Sequence, residues 1–482
     1  MKDFPPWRII TAIHNEMAHL MFSPDTYLAR RAELANHVGQ GLILLLGNAD
    51  SPMNYADNIY HFRQDSSFLY YFGIDLPGLA ATIDAETGVA TLYGDDGGID
   101  SVVWTGALPT MAEQAAQVGV THSFPLGAFA DVVTKASEGG RTVHYLPPYR
   151  ADHRVWLSAL LSKPVSAIDT GASDALTRGV IAQRAVKSAE EIAEMENALE
   201  ITHRMHTLAM RSARAGVREQ EIVGLMEGLS ASQGRALSYP IIFSRDGHIL
   251  HNHGHAYTLK AGDLVVNDSG AESPRHYASD ITRTIPVGGR FSERQKIVYQ
   301  AVLDAQMVAI DSMKPGVPYR DIHDLAARVL VQGLEATGIF KGAAAEVVES
   351  GAYALVFPHG LGHMIGLDVH DMEALGENRV GYGEGQERST EFGRKSLRLA
   401  RPLREGWVVT VEPGAYFIPA LIDRWQAEAR FEHLIDYDRA QEYRNFGGIR
   451  IEDDVLVTAD GARALGKPIP KTIAEVETLA SA

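Results

Sequence analysis

Three acidic residues stand at or near the ends of strongly apolar, strand-like segments, and this pattern limits the possible folds more than any other feature. The segments are Asp263-Leu-Val-Val-Asn-Asp268, Trp407-Val-Val-Thr-Val-Glu412 and Gly448-Ile-Arg-Ile-Glu-Asp-Asp-Val-Leu-Val457. A carboxylate that points into an apolar interior is unfavourable unless it is paired or bound to a metal ion. Taken singly, Asp268 is typical of a turn, Glu412 of a strand end, and Glu452 of a solvated acidic trio. Their recurrence at such places favours a functional site.

Alternation along the last segment adds an arginine to this group. Arg450 and Glu452 share one face of the strand, while Ile449 and Ile451 share the other. An acid and an arginine that both point inward indicate an active site more often than simple packing.

A histidine-rich stretch, Phe357-Pro-His-Gly-Leu-Gly-His-Met-Ile-Gly-Leu-Asp-Val-His-Asp371, lies between the acidic segments. Imidazoles near several carboxylates are the ligand mixture of a transition-metal hydrolase. His359 and His363 have the four-residue spacing of the helical zinc motif, but Gly360 replaces its general-base glutamate. Because glycine disfavours helix, we predict a loop or strand edge here.

Length and composition exclude several classes of protein. A chain of 482 residues is expected to form two domains. It has no cysteine, which excludes disulfides, thiolate catalysis and cysteine-ligated zinc and fits a cytoplasmic protein. A net charge of −17 argues against nucleic acid or an anionic membrane as the main partner. The longest apolar run, near 42–46, is too short for a membrane span, and the start lacks the pattern of a signal peptide.

The element pattern predicts an N-terminal α/β domain over residues 1–175 and an α+β domain over residues 176–482. Capping boxes at Ser188-Ala-Glu-Glu191 and Ser292-Glu-Arg-Gln295 predict helix starts in the second domain. Helices in pairs, interleaved with short hairpins, favour helices on the outside of a curved sheet. The polar segment 376–396 is expected to run over the surface.

Six segments carry a resemblance to a known family: Ile249-Leu-His251, Val266-Asn-Asp268, Tyr277-Ala-Ser-Asp-Ile-Thr-Arg-Thr284, His359-Gly-Leu-Gly-His-Met-Ile-Gly-Leu-Asp-Val-His-Asp371, Thr410-Val-Glu-Pro-Gly414 and Gly448-Ile-Arg-Ile-Glu-Asp-Asp454. In order and spacing they resemble the aminopeptidase P and prolidase family, M24-type Xaa-Pro metallopeptidases with the pita-bread fold. The resemblance covers about residue 187 to the end. Residues 1–175 are similar to the family's N-terminal domain, especially at Phe62-Arg-Gln-Asp-Ser66.

The resemblance implies a catalytic site with two divalent metal ions. Its ligands would be Asp268, Asp280, His363, Glu412 and Glu452. This oxygen-rich set favours Mn²⁺, with Co²⁺ or Zn²⁺ as substitutes. A hydroxide bridging the ions would attack the scissile amide, with Glu412 as the proton shuttle. The further catalytic residues would be His251, His359, His370 and Arg450, and His251 and His370 would also contact the substrate.

One departure from the family concerns the spacing of two acids. Asp280 follows Asp268 by twelve positions, where the family has about eleven. We interpret the extra residue as a longer hairpin loop around Pro274 that leaves both acids inward. A shift of strand register would instead turn one acid away.

The family-level reaction is hydrolysis of the bond between an N-terminal residue and a following proline. Ser396-Leu-Arg-Leu-Ala-Arg401 resembles the prolidase branch, in which Arg398 would bind the free carboxylate of an Xaa-Pro dipeptide. A basic surface turn and an aminopeptidase P that takes longer peptides stay open as alternatives. Methionine aminopeptidase would not need the long N-terminal domain. A metal-free relative, either a creatinase-like amidinohydrolase or a non-enzymatic binding protein, should have lost several of the five ligands. Relatives in this family imply a homodimer or homotetramer.

Overall fold

The computed structural model describes residues 22–233, 236–383 and 385–482. The chain divides into two compact units, Met1–Arg184 and Ala185–Ala482. The first residues, where no signal peptide is expected, lie outside the described ranges. Within those ranges, no helix combines the length and apolar character that crossing a membrane requires.

The N-terminal unit contains a five-stranded mixed sheet. Its strands are β1 (Leu42–Leu46), β2 (Ala80–Asp84), β3 (Ala90–Tyr93), β4 (His122–Phe124) and β5 (Val143–His144), in the order β4-β3-β2-β1-β5. β1 and β2, like β2 and β3, pair antiparallel, whereas the β1–β5 and β3–β4 pairs are parallel. The helices are Pro24–Val38, Ser66–Phe72, Ile99–Thr105, Met111–Gln117, Gly127–Glu138, Ala151–Leu160 and Asp174–Ala185, the last of which reaches the division between the units.

The C-terminal unit contains three small antiparallel sheets and a set of helices. Its strands are β6 (Ile242–Ser244), β7 (Leu264–Asp268), β8 (Thr282–Pro286), β9 (Val408–Val411), β10 (Gly414–Tyr416), β11 (Gly448–Arg450), β12 (Asp453–Val457) and β13 (Ala462–Ala464). They form sheets in the orders β6-β7-β8, β10-β11 and β13-β12-β9. The helices are Ala189–Ser212, Glu219–Ser232, Glu293–Ser312, Tyr319–Gly333, Ala344–Glu349, Pro419–Ala427, Tyr437–Glu442 and Ile473–Ser481. Both predicted capping boxes are formed, at Ser188 and at Ser292.

The hairpin of β7 and β8 keeps one register along its length. Asp268 lies opposite Thr282, and an isolated bridge between Glu272 and Ala278 continues the same register towards the turn. The second strand becomes regular only at Thr282. Asp280 lies two residues before Thr282, and side chains two apart share a face, so the longer loop leaves Asp268 and Asp280 on the same side.

The segment 448–457 is two strands, whereas the sequence predicts one. β11 pairs with β10 and β12 pairs with β9, so the chain changes partner at 451–452. On the opposite side, β9 and β10 are separated by Glu412 and Pro413, and proline has no N–H to continue the ladder. Gly414 lies opposite Arg450 and Val411 opposite Asp453. The same register places Glu412 opposite Glu452 at the break.

Candidate metal centre

One cavity of about 620 Å³ in the C-terminal unit contains every side chain that the sequence analysis assigns to the site. These ten side chains are among the residues that line it: His251, Asp268, Asp280, His359, His363, His370, Arg398, Glu412, Arg450 and Glu452. Residues up to 201 positions apart in the chain therefore meet in one place. The contacts of these side chains indicate what chemistry they can carry out.

The four acids reach the cavity from interrupted or ending strands. Asp268 ends β7, Asp280 precedes β8, and Glu412 and Glu452 occupy the two facing strand breaks. At an interruption the backbone no longer continues the ladder, so the side chain faces a space and not a packed neighbour. The expected inward direction of Asp268 and Asp280 agrees with their place in the cavity wall.

His363 is held by a segment that runs beside β9. The backbone of Met364 forms a bridge with Val409, and the N–H of His363 donates to Thr410 Oγ1 at 3.1 Å. A Cβ on Gly362 would lie 2.0 Å from the carbonyl oxygen of Thr410, so only glycine permits this approach. As predicted, residues 357–371 contain no helix.

The tautomer of His363 leaves one ring nitrogen available as a ligand. Nδ1 lies 3.0 Å from the carbonyl oxygen of Met364, which can only accept, so Nδ1 carries the proton. Nε2 is then a lone pair, 3.5 Å from Asp280 Oδ2 and 3.7 Å from Glu412 Oε1. Burial lowers the pKa of His363 to about 4, so the ring is neutral at pH 7. Three acceptors thus face one another, an arrangement that a cation would satisfy.

Burial raises the pKa of every acid in the cluster. For Asp268 the positive charge of Arg450 opposes the effect, and for Glu452 the charges of Asp280 and Glu412 add to it. The pKa of Asp280 also rises, and that of Glu412 rises to about 8. Four neighbouring carboxyl groups with raised pKa values indicate a site with too much negative charge for its surroundings.

Tyr239 and Thr282 hold three of the acids in position. Tyr239 Oη lies 2.6 Å from Asp268 Oδ1 and 2.5 Å from Asp280 Oδ1, although one hydroxyl proton can serve only one of them. Thr282 Oγ1 donates to Glu452 Oε2 at 2.6 Å. Of these three acids, Asp268 has a positively charged partner in Arg450 at its other oxygen.

Within the described ranges, ligand atoms of Asp280, His363 and Glu452 all lie within 4.8 Å of one another. Two carboxylates and one neutral imidazole with its other nitrogen bonded to a carbonyl are a donor set suited to a divalent ion. Asp268 and Glu412 line the same cavity and extend this set. The residues present therefore fit a metal centre.

Arg450 connects the cluster to His359. Its Nη2 donates to Asp268 Oδ2 at 2.5 Å and its Nη1 to Tyr416 Oη at 2.9 Å. Tyr416 Oη in turn lies 2.9 Å from His359 Nε2. His359 Nδ1 lies 2.8 Å from the carbonyl oxygen of Gly360 and must donate to it, so Nε2 accepts from the tyrosine. Both ring nitrogens of His359 are therefore occupied.

The other two histidines differ in their contacts. His370 Nδ1 lies 2.7 Å from Glu373 Oε2, and burial, followed by the neighbouring His363, lowers its pKa to about 4. Burial and the charge of Arg450 also lower the pKa of His251. No hydrogen-bond partner of the His251 ring occurs among the described residues, so its N–H is available to a ligand.

The acidic trio led by Glu452 is buried, which corrects the solvated interpretation. Asp453 Oδ1 accepts from Arg283 at 2.6 Å, and its Oδ2 accepts from Lys471 at 2.7 Å and from Gln306 Nε2 at 3.1 Å. Asp454 Oδ2 accepts the N–H of Asp280 at 3.1 Å. Each acid is used in a different contact because the break in the strand turns them towards different neighbours.

Sequence reasoning missed several residues that line or support the cavity: Tyr239, Thr282, Arg388, Phe392 and Tyr416. Of these residues, the sequence could have indicated only Thr282, which lies two residues from Asp280, and Arg388, which lies in a polar segment. That segment, expected to run over the surface, also places Ser396 in the cavity wall, and Arg398 follows two residues after its end.

Comparison with known proteins identifies the family. The family model described as Metallopeptidase family M24 matches residues 193–459, more than half of the chain. The chain belongs to metallopeptidase family M24. The model of the aminopeptidase P N-terminal domain matches residues 27–145. Both predicted parts, the α/β N-terminal domain and the pita-bread catalytic domain, are therefore confirmed in kind.

Relatives of this M24 metallopeptidase cover nearly the whole chain. Xaa-Pro dipeptidase of Homo sapiens is 32% identical over 445 residues, which are 90% of this chain and 88% of that protein. A probable Xaa-Pro aminopeptidase of Paracoccidioides brasiliensis is 32% identical over 470 residues, 94% of this chain and 95% of that protein. Among solved structures, Pseudomonas aeruginosa aminopeptidase PepP has a TM-score of 0.79 and 30% identity, covering 96% of this chain and 99% of its own. Escherichia coli aminopeptidase P with the inhibitor Pro-Leu has a TM-score of 0.77 and 27% identity, covering 95% and 98%.

Proposed function

We propose that this metallopeptidase hydrolyses the bond between an N-terminal residue and a following proline, using two divalent metal ions. The observation that carries the proposal is the approach of Asp280, His363 and Glu452 ligand atoms to within 4.8 Å of one another inside the cavity. The names of the relatives, Xaa-Pro dipeptidase and Xaa-Pro aminopeptidase, support the substrate class.

The metal ligands in this proposal are five side chains: Asp268, Asp280, His363, Glu412 and Glu452. Four carboxylates and one imidazole form a hard donor set that favours Mn²⁺, with Co²⁺ or Zn²⁺ as substitutes. The ions, when bound, would supply Lewis-acid activation of a water molecule and of the scissile carbonyl. A metal-free relative is disfavoured because all five positions carry ligand side chains in one cavity.

Glu412 is the group best suited to move a proton. Its Oε1 lies 3.7 Å from His363 Nε2 at the edge of the cavity, and a carboxylate in that position can accept a proton and release it again. Glu412 would take the proton of the attacking water and deliver it to the proline nitrogen as the amide bond breaks. Its carboxylate is 18% exposed and borders the cavity, so substrate can reach it.

The three histidines differ in the hydrogen bonds that they can donate to a substrate. His251, neutral and with a free N–H, would donate to the carbonyl oxygen as negative charge develops there. His370 donates its Nδ1 proton to Glu373, so its Nε2 can donate to substrate only when the ring is doubly protonated. His359 has no N–H left, and we assign it to positioning Tyr416 and Arg450.

Arg398 favours dipeptides over longer chains. Its guanidinium lines the same cavity as the acids and is 30% exposed. A planar guanidinium binds a carboxylate through two parallel hydrogen bonds, which suits the free carboxylate of an Xaa-Pro dipeptide. We therefore favour prolidase activity over aminopeptidase P activity.

The test compares proline release from Ala-Pro with cleavage of Ala-Pro-Ala, before and after removal of metal and after addition of Mn²⁺. Asp280→Asn or Glu452→Gln should abolish turnover while the circular dichroism spectrum stays unchanged. Asp311→Asn, an exposed acid on the helix Glu293–Ser312, is the matched control and should keep full activity. Turnover of Ala-Pro by the metal-stripped protein would contradict the proposal.

A further inference from the structure

One wall of the cavity contains a chain of charged contacts that links His370 to a second arginine. His370 contacts Glu373, and Glu373 Oε1 lies 2.7 Å from Arg398 Nη1. The same Nη1 donates to Glu377 Oε1 at 2.5 Å. Glu377 Oε2 pairs with Arg388 Nη1. The two guanidiniums therefore lie on either side of one carboxylate.

The charge balance of this wall shows that Arg398 alone is a poor anion site. Burial raises the pKa of Glu373, but the hydrogen bond and charge of Arg398 outweigh it and hold that pKa below its usual value, so Glu373 is ionised at pH 7. With Glu377, two carboxylates share one nitrogen of Arg398. A substrate carboxylate would meet a net negative group. The positive charge of Arg388, which pairs with Glu377, offsets that excess.

The free N–H groups of the two arginines are complementary to a carboxylate. Among the described residues, Arg398 Nε and Nη2 and Arg388 Nη2 have no hydrogen-bond acceptor, and both side chains line the cavity. The Nε–Nη2 edge of Arg398 can make two parallel hydrogen bonds.

Arg388 is also held in place before any ligand binds. Its Nε donates to the carbonyl oxygen of Lys395 at 2.9 Å, and its Nη1 is paired with Glu377. A donor whose position is already set loses little side-chain entropy when it binds a ligand.

We propose that Arg388 is a specificity-determining residue that binds the free carboxylate of the dipeptide together with Arg398, while Glu377 sets the spacing of the two guanidiniums. This rests on the proposed Xaa-Pro activity and deepens it, because it names the residues that select a terminal carboxylate. In substrates that lack this carboxylate, the two arginines gain no charged partner. Selectivity for dipeptides then depends on both.

The test is the ratio of kcat/KM for Ala-Pro to kcat/KM for Ala-Pro amide, which differs only in the terminal charge. Arg388→Met should lower kcat/KM for Ala-Pro about ten- to hundred-fold, mainly through KM, as expected for a lost hydrogen bond to a charged group. Turnover of the amide should change less than about threefold by the same reasoning. An unchanged ratio would overturn the proposal for Arg388 and leave the Xaa-Pro assignment standing. Failure of the wild-type enzyme to cleave either substrate would instead overturn the assignment.

Two further variants separate direct contact from an effect on loop structure. Arg394→Met removes an arginine of the same segment that pairs with Asp324 and does not line the cavity, so it should leave the ratio unchanged. In an Arg398→Met background, adding Arg388→Met should lower the ratio further, because Arg388 still contacts the carboxylate. If the second substitution has no effect there, Arg388 acts only through Arg398 and direct contact is refuted.

Discussion

Without the proposed divalent ions, the protein should lose stability as the pH rises. In the unfolded chain Glu412 ionises near its ordinary pKa of 4.5, whereas burial in the folded, metal-free site raises that pKa to about 8. Between these values the folded state binds more protons than the unfolded state. The free energy of unfolding must then fall with increasing pH. Asp268, Asp280 and Glu452 have pKa shifts in the same direction.

The size of this pH effect on stability follows from the shift in the pKa of Glu412. One proton that differs between the two states changes stability by about 1.4 kcal/mol per pH unit. Across the range set by Glu412 this is on the order of 5 kcal/mol, which for a unit of about 300 residues lowers Tm by about 8 °C. Because the four acids titrate as a coupled group, the measured slope belongs to the cluster.

Calorimetry of chelator-treated protein from about pH 5 to about pH 8 measures this slope. Saturating Mn²⁺ should remove most of this dependence of stability on pH, because metal ligation replaces the protons on the acids. At a hundredfold excess over its Kd, Mn²⁺ should also raise the free energy of unfolding by about 3 kcal/mol. In the metal-free protein, Glu412→Gln should make the free energy of unfolding depend less steeply on pH, by the equivalent of about one bound proton. A Tm of the metal-free protein that is constant or rises over this range would refute the reasoning.

Two further predictions concern residues that support the site. Gly362→Ala should destabilise the protein by about 2–4 kcal/mol in urea denaturation, because its Cβ would lie 2.0 Å from the carbonyl oxygen of Thr410. Gly228→Ala, on an exposed helix face with open space around it, should instead stabilise by about 1 kcal/mol, and equal effects of the two variants would contradict this. Gln306→Leu should cost about 1–3 kcal/mol and weaken Mn²⁺ binding in a titration, because Gln306 connects β9 to β12 through Val411 and Asp453. Gln300→Leu on the exposed face of the same helix is its control, and an equal loss there would refute the role.

Capping boxes and turn residues made much of the local structure predictable. Ser188 and Ser292 begin helices where the sequence indicates, because the cap is formed by residues three positions apart. The glycines around His363 excluded a helix for the same local reason. Acids at the ends of apolar segments identified the candidate cavity residues, since burying a carboxylate in an apolar core is too unfavourable to occur by chance.

The chain by itself thus determined which side chains needed a partner, and only the tertiary structure decided which partner each one has. The strand 448–457 breaks because β11 and β12 pair with strands separated by Pro413, a fact invisible in its own alternating pattern. The trio that begins at Glu452 is buried because residues from three other parts of the chain contact it, namely 280–283, Gln306 and Lys471. Arg398 is accompanied by two glutamates and a second arginine for the same reason. Strand exchange and desolvation depend on contacts between residues far apart in sequence, and no short-range pattern encodes them.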